Sequence, residues 1–142
     1  MSTGPTARQP GMQMKLELVI LPVADVDRSK AFYRDVLGFT EDVDVRPADG
    51  VRVVQLTPPG SACSIGIGTG LPVYTEVPAG SVKGLHLVVD DIEKVREELA
   101  GRGLAIGEIQ DVGGGVRYAW FSDPDGNSLT LQEMAWRTGD AF

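Results

Sequence analysis

His86 is the only histidine of the chain. Its ordinary pKa lies near neutrality, so it is the side chain best suited to move a proton, to hydrogen-bond a ligand, or to bind a metal. It sits in Gly84-Leu85-His86-Leu87-Val88-Val89-Asp90, an apolar run that reads as a strand. Residues two apart on a strand share a face, so Gly84, His86 and Val88 point the same way. Cys63 is the only cysteine and alternates with Ile65 and Ile67. It reads as a small buried apolar residue rather than an activated thiol. A single cysteine makes no internal disulfide, which fits a reducing cytoplasm. Asp123-Pro124-Asp125-Gly126-Asn127 separates two apolar runs that read as strands. Proline fixes one φ, Gly126 and Asn127 tolerate positive φ, and Asp side chains bond nearby N–H groups, so the segment predicts a tight hairpin. Gly113-Gly114-Gly115 lacks the following Lys-Ser or Lys-Thr of a phosphate loop and reads as a flexible hairpin loop. Neither a Gly-x-Ser-x-Gly elbow nor a Cys-x-x-Cys pair occurs.

The elements that must position these residues are legible in outline. The chain has 142 residues, 42% of them hydrophobic, which suits one packed domain or two small fused modules. Thirteen basic and twenty acidic residues give a formal charge of −7, with no basic patch for nucleic acid. Its apolar runs are too short to cross a bilayer, and no signal-peptide pattern is present, so a cytoplasmic location is expected. Residues 1–13 lack apolar periodicity and predict a disordered tail. Order is expected from Lys15–Val23 as a strand, then a helix over about 26–37 capped by Asp25 and stopped by Gly38. Strands are expected near 40–46, 51–56 and 63–67. Residues 70–83 read as a linker. The pattern then restarts: a strand from Gly84, a helix capped by Asp90 or Asp91 and ended by Gly101 and Gly103, then strands near 105–109, 116–122 and 128–135. Val23-Ala24-Asp25-Val26-Asp27 and Val89-Asp90-Asp91-Ile92-Glu93 occupy equivalent places 66 residues apart, the mark of a duplicated module.

Three segments carry a resemblance: Leu21-Pro22-Val23-Ala24-Asp25, Ser29 to Phe39 with Phe32-Tyr33 and Leu37-Gly38-Phe39, and Asp123 to Asn127. Together with the repeat, they make the chain similar to the vicinal oxygen chelate superfamily, which includes glyoxalase I, extradiol dioxygenases and bleomycin resistance proteins. The resemblance covers about residues 14–136. It implies an α+β fold of two βαβββ modules, 14–69 and 84–136, joined by the linker and followed by a tail over 137–142. Curved mixed sheets are then expected to line a cavity, with helices on the outside. A homodimer sharing that cavity between chains is implied in the same way.

Metal-dependent members of that superfamily hold a divalent cation with His, Gln or Glu from four strands. Carried over, those positions are Leu18, Gly84, Thr130 and Ser64, with Gly66 as second choice for the last. Leu and Gly offer no donor atom, and Ser and Thr are poor ligands. No metal or other cofactor is therefore expected. Ile20, Val88 and Gln132 point inward by parity beside them, giving a mostly apolar wall suited to an organic ligand. Tyr118 and Trp120 share a face and either stack on an aromatic ligand or belong to the core or a dimer interface. Trp136 either covers the cavity mouth or packs there. His86 reads three ways: a polar cavity residue, a proton-transferring or ligand-contacting residue, or a displaced metal ligand. The leading expectation is a metal-independent protein that binds and sequesters a small organic molecule, as resistance proteins do. The alternatives are an isomerase, cyclase or lyase using His86, and a metal-dependent glyoxalase or dioxygenase with displaced ligands.

Overall fold

The computed structural model describes residues 11–142. Most of the expected N-terminal tail, residues 1–10, lies outside the described residues. None of the helices described is long and apolar enough to cross a membrane.

The first half runs β1 (Leu18–Ile20), α1 (Val26–Ala31), β2 (Thr40–Ala48), β3 (Val51–Thr57) and β4 (Ser64–Thr69). Its sheet order is β1-β4-β3-β2, with β1 parallel to β4 and the other pairs antiparallel. The second half repeats this with β5 (Leu85–Val88), α3 (Ile92–Gly101), β6 (Gln110–Gly113), β7 (Val116–Ser122) and β8 (Ser128–Met134), in the order β5-β8-β7-β6. The fold is therefore α+β, with two mixed four-stranded sheets. Each crossover helix starts on the predicted aspartate: Asp25 Oδ1 accepts from the Arg28 N–H at 3.1 Å and Asp91 Oδ1 from that of Lys94 at 3.1 Å.

The first helix differs from expectation after its second turn. Phe32–Val36 widen into a π-helical turn, with the Leu37 N–H donating to the Phe32 carbonyl at 3.1 Å. Gly38, at φ 78°, then ends the helix as predicted. The expected strand near 105–109 is absent apart from a single bridge between Ile106 and Phe121; the edge strand forms at Gln110–Gly113 instead. The 70–83 segment is more than a linker. It contains a short helix, α2 (Pro72–Thr75), which buries Tyr74 on Gly68, where a Cβ would stand 2.5 Å from the tyrosine ring.

Strict alternation decides the two faces of each sheet. Ile65 and Ile67 of β4, Val54 and Leu56 of β3, Ala119 and Phe121 of β7, and Leu129 and Leu131 of β8 join one core with Val26, Tyr33, Ile92 and Leu99 from the helices. Both helix-bearing sides thus meet in a shared core, with Phe32 and Phe121 ring centroids 6.5 Å apart. Each helix packs one apolar side on its sheet and leaves residues such as Asp27, Arg28, Glu93, Lys94 and Glu97 exposed, on the side away from the face expected to line a cavity. Burying both helix-bearing sides leaves the opposite face of each sheet free.

The Asp123–Asn127 turn fastens the halves. Asp123 Oδ1 accepts from the N–H groups of Asp125 and Asn127, each at 2.9 Å, which shapes the predicted hairpin. Its other oxygen accepts from Tyr33 Oη at 2.8 Å, and the Asn127 amide donates to the Pro22 carbonyl at 3.1 Å. Asp125 accepts from the Ala24 N–H, Arg28 and Ser29 Oγ. Burial above all, then the Asp123 charge, pushes the Tyr33 phenol far above its usual range, so it remains a donor.

Candidate functional site

On the first sheet, register pairs Leu18 with Ser64 and Ile20 with Gly66, so all four share the face opposite the core. Leu18 and Ile20 lie over Gly66: a Cβ there would be 3.0 Å from Ile20 Cδ1 and 3.2 Å from Leu18 Cδ1. The missing side chain is what lets the two apolar side chains settle on the sheet. Ser64 Oγ is taken up by Thr57 Oγ1 at 2.6 Å, and Thr57 also bonds Asp42. This face is mostly apolar, with the Ser64 and Thr57 hydroxyls already committed and Gln55 in register with Gly66.

The second sheet carries the polar and aromatic groups. His86, Thr130 and Trp120 stand in one row across β5, β8 and β7, and Val88, Gln132 and Tyr118 in the next. Tyr118 bridges the rows, with centroids 5.5 Å from His86 at 89° and 6.0 Å from Trp120 at 56°. Thr130, between His86 and Trp120, is 1% exposed, whereas Trp120 is 47% exposed. Gly84 departs from expectation. It precedes β5 at φ +75°, so strand parity does not extend to it; its N–H donates to Ser128 Oγ at 2.8 Å. Its carbonyl lies 2.6 Å from His86 Nδ1. A carbonyl can only accept, so Nδ1 carries the proton in this contact.

The positions implied for a divalent cation do not fit one. Leu18 and Gly84 have no donor, Ser64 is bonded to Thr57, and Thr130 is buried. Among the described residues, no three His, Cys, Asp or Glu side chains are grouped to hold a metal ion.

Of the predicted residues, only His86 and Val88 border a hollow of about 500 Å³. It opens between the end of the first helix and α3, along β5, and includes Phe39, Leu99, Arg102, Phe121, Arg137 and Phe142. Sequence pattern gave no signal for Arg137 and Phe142, which lie in what reads as a C-terminal tail. Trp136 is 61% exposed, with its ring beside Gly115. The three glycines 113–115 all have positive φ, making a turn at the β6–β7 tip.

A family model described as the glyoxalase/bleomycin resistance protein/dioxygenase superfamily matches residues 15–131. Among solved structures, the chain is similar to TnmS3, an antibiotic binding protein from Streptomyces sp. CB03234. The TM-score is 0.75 and the identity 30%, covering 88% of this chain and 99% of that one. A glyoxalase/bleomycin resistance protein from the same organism has 32% identity and a TM-score of 0.69, covering 82% of this chain and 98% of that one. A superfamily member from Sphaerobacter thermophilus DSM 20745 has 30% identity and a TM-score of 0.74, covering 85% and 98%. No curated protein sequence matches the chain. The family match spans most of the chain, from before β1 into β8, and the chain belongs to the glyoxalase/bleomycin resistance protein/dioxygenase superfamily.

Proposed function

We propose that this chain binds and sequesters a small organic molecule, without a metal, on the sheet faces opposite its core. The observation that carries this reading is the open face of the second sheet. There Trp120 and Tyr118 present aromatic surface, and His86 and Gln132 present polar groups, while of the cation positions Leu18 and Gly84 lack a donor, Ser64 is bonded to Thr57 and Thr130 is buried. Aromatic faces with a few polar groups suit an organic ligand. The likeness to an antibiotic binding protein supports an antibiotic or toxic metabolite as ligand. One chain does not enclose either face, which supports a homodimer in which the apolar wall of one copy meets the aromatic face of the other. Action in the cytoplasm fits the single, unpaired Cys63.

Calorimetric titration against a panel of aromatic antibiotics tests this. Trp120→Ala is expected to weaken the binding found by about tenfold, and dialysis against EDTA to leave it unchanged. Affinity lost with EDTA and restored by a divalent cation would overturn metal independence. A second reading, proton transfer by His86, is favoured by the fixed Nδ1 contact, which holds the ring in place. A ligand recovered chemically altered would select it.

A further inference from the structure

We propose that the ligand is a planar aromatic with a hydroxyl or N–H donor on its edge, and that His86 Nε2 is the atom that accepts that hydrogen bond. This rests on the reading of the open face as the ligand site and names what that face selects.

Gly84 sets the orientation of the imidazole. At φ +75° its backbone takes a conformation that L side chains rarely adopt. That conformation brings its carbonyl 2.6 Å from His86 Nδ1. Nδ1 donates there, so in the neutral ring Nε2 is left as a bare acceptor. Tyr118, perpendicular to the imidazole with centroids 5.5 Å apart, restrains the ring from a second side. Among the described residues Nε2 has no hydrogen-bond partner. The acceptor is thus oriented by backbone before any ligand arrives.

Its neighbours narrow the ligand further. The residues in register with His86 and Val88 are Thr130, Trp120, Gln132 and Tyr118, none of them cationic. On the sheet face itself the acceptor therefore has no cation in register; Arg102 and Arg137 line the hollow along β5 that His86 also borders. Trp120 and Tyr118 supply stacking surface next to the acceptor. A bare acceptor beside two aromatic rings is the complement of a phenol or a heteroaromatic N–H.

His86 is the only histidine, so its ring nitrogens give unambiguous signals in untagged, ¹⁵N-labelled full-length protein. Two-bond ¹H–¹⁵N correlation spectra are expected to show a protonated Nδ1 and a bare Nε2. Titration then compares 2-naphthol with 2-methoxynaphthalene, which has the same rings and no donor. The naphthol is expected to bind about fivefold to tenfold tighter and to shift Nε2, which the ether leaves in place. His86→Phe is expected to keep aromatic bulk and bring the two affinities together. Equal affinities in the wild type, or a preference that survives His86→Phe, overturn the donor assignment. If both compounds still move the Trp120 indole signal, the face remains the ligand site and only the inference fails. If neither compound moves it, the face reading fails too. A free ring protonated on Nε2 also overturns the proposal.

Discussion

Tyr33 has no exposed surface, yet it carries a hydroxyl that must be satisfied, and Asp123 is what satisfies it. The same carboxylate oxygen takes the Asn127 amide at 2.8 Å. Removing one donor leaves a 5%-exposed carboxylate short of a partner. Tyr33→Phe is therefore expected to lower stability by about 1–3 kcal/mol, seen as a lower urea midpoint with unchanged slope. A midpoint equal to the wild type would show that Asp123 finds another donor. The turn itself was readable from Asp123-Pro124-Asp125-Gly126-Asn127, because every hydrogen bond that shapes it is local. Its partners were not readable. Tyr33 lies 90 residues away, and nothing in a helical Phe-Tyr pair states which of the two faces a distant carboxylate. Likewise the face shared by His86 and Val88 follows from alternation, whereas the Gly84 conformation that fixes the imidazole does not.

Asp44 on β2 joins three elements. It accepts from Lys30 of α1 at 2.7 Å and from Arg52 of β3 at 3.0 and 2.9 Å, with all three side chains mostly buried. Arg52 first, then Lys30, hold its carboxyl well below the usual carboxylate range. A depressed carboxylate pKa contributes stability that is complete above the unfolded value, near 3.9, and is lost as pH falls toward the folded one. Asp44→Asn is expected to cost on the order of 1 kcal/mol at pH 7. The gap to wild type should close as the pH is lowered through and below about 4, followed by thermal melts across pH. A constant gap would show that the charge is not what stabilises the junction. At this scale the sequence is legible where one face is buried, as in β4 and β8, because burial imposes period two. It misleads in Ala105–Ile109, an apolar stretch that packs without pairing, apart from the Ile106 bridge. Exposed β6 carries no apolar signal and is set by backbone pairing with β7 across the glycine turn.

For the molecule as a whole, the two free sheet faces pose the next question. Met14 and Leu16 ahead of β1 are 85% and 70% exposed, and Trp120 is 47% exposed, an apolar surface that one copy leaves to water. Light scattering at micromolar concentration is expected to return twice the chain mass, and a monomer mass would remove the shared-cavity arrangement. Repetition of the module was visible in the two aspartate-capped helices. That the helices would meet in a common core was not, since an amphipathic helix does not say which sheets it separates. The hairpin that fastens the halves also has a consequence for synthesis. Its bonds reach back 90 to 105 residues, to Tyr33, Ala24 and Pro22. A ribosome releases the N-terminal half first, and domains emerge in that order. Until the last quarter of the chain follows, the Ala24 N–H lacks its Asp125 acceptor, the Pro22 carbonyl has the Gly80 N–H but not the Asn127 amide, and the inner side of the first helix has no Phe121 to cover it. The nascent first half must therefore wait, incompletely packed, for its final hairpin.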